Sequence, residues 1–69
     1  MTKPQKYRDV ARFLRSKGWE LARVRGSHQI WQPKNQGTSI VVATHSGMVS
    51  AGIVRQIQAA FDDSPDSWD

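Results

Sequence analysis

Trp19-Glu20-Leu21-Ala22-Arg23-Val24-Arg25-Gly26-Ser27-His28-Gln29-Ile30-Trp31-Gln32 decides the fold. Two runs rich in aromatic and aliphatic residues flank Gly26-Ser27, and a Gly-X pair in that setting suits a two-residue type II′ turn, whose first position takes a positive φ. The stretch therefore reads as a β-hairpin. A two-residue turn also fixes register: Arg25 comes opposite His28 and Arg23 opposite Ile30, so an imidazole and two guanidiniums share one face. On this reading Ala22, Val24 and Trp31 occupy the other face, and Leu21 and Ile30 point outward. A slip of one residue would reverse every assignment.

On the N-terminal side, Thr2-Lys3-Pro4-Gln5 has the form of a capping box with proline in the first turn. Tyr7, Val10, Ala11 and Leu14 recur at helical spacing, Phe13 widens the stripe, and Lys6, Arg8, Arg12 and Arg15 fill the rest of the surface. Lys17 falls in the last turn, and Gly18 supplies the left-handed residue that stops the helix. On the C-terminal side, residues 33–37 have loop composition and residues 38–44 form a β-branched strand. His45-Ser46-Gly47 is a second loop. Ser50 caps a helix that carries Ile53, Ile57, Ala60 and Phe61 at helical spacing, with Gly52 weakening its first turn.

The elements add up to an α+β protein of order α-β-β-β-α: a three-stranded antiparallel sheet with two helices on one face. Double-stranded-RNA-binding domains share this order. The folded domain is expected over residues 1–61. Residues 62–69, the polar and proline-broken DDSPDSWD, are expected to be an acidic, disordered tail in which Trp68 has nothing local to pack on.

The charge is divided in the same way. The formal net charge is +4, but four of the six acids lie in the tail, so residues 1–61 hold ten basic groups against Asp9 and Glu20. A body this basic suits a polyanionic partner, although solubility alone also rewards charge. A chain of 69 residues has room for one small core and no deep pocket, so function belongs on a surface. There is no cysteine and no apolar run of signal or membrane length, which places the expected protein in the cytoplasm, away from membranes.

Few side chains are left for chemistry. Two acids in the body give neither a metal site nor a Ser-His-Asp arrangement, so Ser27 is a poor nucleophile and no metal or other cofactor is expected. An imidazole exchanges a proton near neutral pH, and arginine forks bind phosphate and neutralise charge growing on it. His28 with Arg23 and Arg25 therefore suits attack of an RNA 2′-hydroxyl on its own phosphate, whereas the bland alternative is a surface histidine beside solvated arginines. His45 is either a second acid–base group or a loop residue satisfying backbone groups. Trp19 and Trp31 either stack on unpaired bases or belong to the core.

The combination of G-W-x-L-x-R-V-R-G-S-H-x-I-W, an alternating third strand, H-S-G and a closing G-I-V-R-Q-I helix, over about residues 5 to 60, resembles the HicA family of toxins. The resemblance implies an mRNA interferase of type II toxin–antitoxin systems that cleaves RNA without the ribosome and is neutralised by a HicB-type antitoxin. It places the catalytic histidine at His28 and matches His45 to a histidine the family often has after the third strand, a secondary candidate; Arg23, Arg25 and Ser27 are the residues expected at the phosphate. This chain departs from the family at Ile57-Gln58-Ala59-Ala60-Phe61, where the usual pattern has leucine second and ends in glycine. The alternative from another class is a non-catalytic RNA-binding module of the same fold. A DNA-binding domain is a third reading, but no helix-turn-helix pattern is present.

Overall fold

The computed structural model describes residues 1–35 and 37–69; Gln36, part of the expected loop over residues 33–37, lies outside them. The hairpin forms as the turn chemistry requires. Strand β2 (Trp19–Arg25) pairs antiparallel with β3 (His28–Pro33), and Gly26 has φ 60° while Ser27 stays out of the positive region, as in a type II′ turn. Strand β4 (Ile40–His45) adds to β3 and completes the expected meander.

The sheet then goes beyond three strands. Its order is β1-β5-β4-β3-β2, with two short additions at one edge: β1 (Gln5–Lys6) and β5 (Met48–Val49). The three-stranded expectation is corrected to five for physical reasons local to each addition. Ser46 and Gly47 both take positive φ, 54° and 77°, which is the type I′ geometry that returns β4 onto itself as a hairpin. The expected loop is thus a tight turn. The new edge is capped in turn by Gln5 and Lys6, which pair with Val49 and Met48.

That pairing also moves the first helix. Helix α1 spans Tyr7–Ser16 with Lys6 as an extended N-cap lacking a side-chain bond, so Thr2 and Gln5 form no capping box. The Tyr7 amide donates instead to Gly47 O at 2.8 Å, and the Thr2 hydroxyl donates to Gln58 Oε1 at 2.8 Å. The far end follows the sequence reading, with Gly18 at φ 81° donating to Arg15 O. Helix α2 (Ala51–Ala60) begins at Ser50, whose hydroxyl accepts from the Ile53 amide, and ends in an extended Phe61 that needs no glycine.

Both helices pack against the same side of the sheet, and each element contributes. Val10, Ala11 and Leu14 of α1 meet Trp31, Ile40, Val42 and Val49 of the sheet and Val54 and Ile57 of α2. Each fully buried large side chain contributes roughly 1.5–3 kcal/mol. Trp31 is therefore core, with the Arg15 guanidinium 5.2 Å above its ring, and Trp19 is half-buried against Phe61.

The expectation of a disordered tail also changes. Residues 66–68 form a 3-10 turn that buries Trp68 to 3% exposure. Trp68 O accepts from the Lys3 amide at 2.8 Å, Asp63 pairs with Lys17, and Gln58 Nε2 donates to Asp69. Gln58, the polar departure from the family pattern, thus holds both chain ends. The tail folds because its tryptophan finds an aromatic site on the body that local sequence does not reveal.

The I′ turn can be tested by substitution. Asn tolerates left-handed φ better than Ser, so Ser46→Asn should stabilise the protein by about 0.5 kcal/mol, read as a higher urea midpoint at unchanged m-value.

Candidate functional site

The face of the sheet turned away from the helices is set by the pairing register. Arg25 is opposite His28, His28 opposite Ala43, Arg23 opposite Ile30, and Ile30 opposite Val41. Paired residues in an antiparallel ladder share a face. The buried Trp31, Ile40 and Val42 lie on the helix-covered side, so Arg23, Arg25, His28, Ile30, Val41 and Ala43 lie on the open one. The sequence reading needs one adjustment here. A β-bulge between Leu21 and Arg23 inserts Ala22 as an extra residue, which brings Leu21 opposite Trp31 on the helix side rather than outward.

Arg23, Arg25, Ser27 and His28 are all exposed. Ser27 is at the apex of the turn, and its carbonyl accepts from the Thr44 amide at 2.9 Å, which ties the hairpin tip to β4. Ile30, Val41 and Ala43 are apolar neighbours of Arg23, Arg25 and His28 on this face, and Val41 keeps 48% of its surface exposed. His45 is the next residue of β4 on this face after Ala43. His28 and His45 are thus diagonal neighbours with only a methyl side chain at the intervening position, a separation of roughly 7–8 Å between backbones.

Electrostatically the site is left uncompensated. Among the described residues the side chains of Arg23, Arg25, His28 and His45 make no hydrogen bond and no ion pair. The one ion pair among those residues, Lys17–Asp63, joins α1 to the tail. Glu20 shares the open face but pairs with Gln32, at the opposite end of the hairpin from His28. The cations therefore present their charge to solvent, which favours a multiply charged anion arriving from outside. Among the described residues no three His, Asp or Glu side chains gather as a metal-ligand set.

The structure adds residues that sequence reading placed elsewhere. Lys6 pairs with Met48, and Met48 with His45, so Lys6 belongs to the open face of the sheet rather than to the surface of a helix. The signal was present in Ser46-Gly47, a turn dipeptide followed by Met-Val. It was masked by the capping-box pattern that drew residues 2–6 into the helix.

Two helices over one face of an antiparallel sheet, with an exposed histidine and two arginines on the other, define a small α+β module with an open basic face. The model of the HicA toxin family of bacterial toxin–antitoxin systems matches residues 7–61. The chain belongs to the HicA family and is a toxin of such a pair. The matched segment runs from the first residue of α1 to the cap of α2 and contains the whole hairpin. No curated protein and no solved structure matches the chain.

Proposed function

We propose that this toxin is a ribosome-independent endoribonuclease of the type II class that cleaves mRNA with His28 and is neutralised by a HicB-type antitoxin. The observation that carries the reading is the cross-strand pair of Arg25 and His28 on an exposed face, free of competing acids among the described residues. His28 would take the proton of a 2′-hydroxyl as its oxygen attacks the adjacent phosphorus. The P–O5′ bond then breaks, the 5′-oxygen receives a proton from the same imidazole, and the products are a 2′,3′-cyclic phosphate and a 5′-hydroxyl. Arg23 and Arg25 would hold the non-bridging oxygens and offset their growing charge. Ser27 adds a hydroxyl at the apex of the turn. This sequence of steps calls for no metal or other cofactor.

One observation favours the alternative of a non-catalytic RNA-binding module: His28 has no orienting hydrogen bond among the described residues. The two readings separate in one experiment. Purified protein incubated with single-stranded RNA in EDTA, without ribosomes, should yield fragments ending in cyclic phosphate. Bound but intact RNA would leave the module.

A further inference from the structure

The open face does not end at His45. Register carries it across the two added strands: His45 is opposite Met48, and Met48 opposite Lys6, on the side away from buried Val49. Beyond them a cleft of about 430 Å³ opens between the start of α1 and the I′ turn, lined by Lys6, Tyr7, Arg8, Ser46, Gly47 and Met48. Lys6 and Arg8 are exposed and, among the described residues, make no ion pair. A single oblique row thus runs from Arg25 and His28 through Ala43, His45 and Met48 to Lys6 and Arg8. It is cationic at both ends, with Ala43, His45 and Met48 between.

From strand spacings of roughly 4.8 Å and a rise of roughly 3.4 Å per residue, Lys6 lies roughly 16 Å from His28. That exceeds the reach of one phosphate but is crossed by a few nucleotides of an extended strand. Met48, 39% exposed, and His45 supply flat or polarisable surface between the two charged ends, the arrangement by which single-strand binders track a backbone while packing on bases. Two acids of the tail are held elsewhere, Asp63 by Lys17 and Asp69 by Gln58, and among the described residues no acid pairs with Lys6 or Arg8.

We propose that Lys6 and Arg8 form a second phosphate subsite, which binds the RNA strand several nucleotides from the bond cut at His28, with His45 and Met48 lining the path between. The proposal rests on the ribonuclease reading and makes a separate claim: binding depends on RNA length, and the added strands β1 and β5 are part of the binding surface.

The test uses the full chain carrying His28→Ala, so that RNA stays intact, titrated with a labelled trinucleotide and a labelled dodecanucleotide over a range of salt. Adding Lys6→Gln and Arg8→Gln should weaken dodecanucleotide binding about fivefold or more and lower the salt slope by about 0.7 for each phosphate no longer neutralised, with trinucleotide binding unchanged. Lys6→Arg should restore its share. Arg55→Gln, on the exposed side of α2, should change neither. Equal weakening for both RNAs, or none for either while the parent binds RNA, would overturn the second subsite and leave the ribonuclease reading standing. If the parent binds neither RNA and the wild-type chain cuts none, both readings fall together.

Discussion

Replacing His28 by alanine should lower the rate of RNA cleavage by about 100-fold or more while leaving RNA affinity and the melting temperature nearly unchanged. The size follows from the site. Imidazole is the side chain suited to both halves of a proton transfer, and His28 stands directly opposite Arg25 on the open face. On the proposed reading its loss removes both the base for the 2′-hydroxyl and the acid for the 5′-oxygen. Stability should hold because the side chain is exposed and has no partner among the described residues, so substitution removes no packing. Arg25→Gln provides the contrast: it should weaken binding and reduce the salt slope as well as the rate, because a guanidinium acts on the phosphate in both bound and transition states. Fragment yield in single-turnover reactions, followed beside binding of uncleavable RNA, separates the two patterns. A His28→Ala protein that cuts within about threefold of wild type would remove His28 from the chemistry.

The residues that made this site legible are those whose local chemistry has one solution. Gly26-Ser27 admits a two-residue turn, and once the turn is set the register places Arg25 against His28 without further information. Gly18 and Ser50 marked helix ends for the same kind of reason. Thr2 and Gln5 misled because a capping box is a local pattern, and it lost here to a non-local partner, the edge of β5. Leu21 falls on the helix side of the sheet, though still 38% exposed, because of a bulge at Ala22, which alternation alone does not reveal since it changes parity in the middle of an otherwise regular strand. Lys6 joined the open face as a consequence of the first error. The pairing of β1 with β5 and the folded tail stayed hidden because they join segments distant in sequence, whereas the β4–β5 hairpin and the bulge at Ala22 are local features.

The tail carries the second large effect. Trp68→Ala should destabilise the protein by about 3–5 kcal/mol, and truncation after Phe61 by at least as much. Trp68 is 3% exposed and stacks edge-on to Phe13 at 5.3 Å; Phe13 meets Phe61 at 5.3 Å, and Phe61 meets Trp19 at 5.4 Å. Four rings thus connect the tail, α1, the end of α2 and the start of β2. Deleting the last ring exposes one side of that chain and removes the packing that brings Trp68 O to the Lys3 amide. A domain of this size has total stability of order 3–10 kcal/mol, so the loss is a large share of the whole. The melting temperature should fall by about 15 °C or more, whereas Trp68→Phe should retain much of the stability and Asp62→Asn, at an exposed position, should change little. Thermal unfolding of these variants in the His28→Ala background gives the answer directly. If Trp68→Ala melts within about 2 °C of its parent, Trp68 is not part of the core in solution, and the tail is an appendage after all. If the large shift is seen, the folded unit extends past the segment that defines the family, and the eight residues after Phe61 belong to the stability of the toxin.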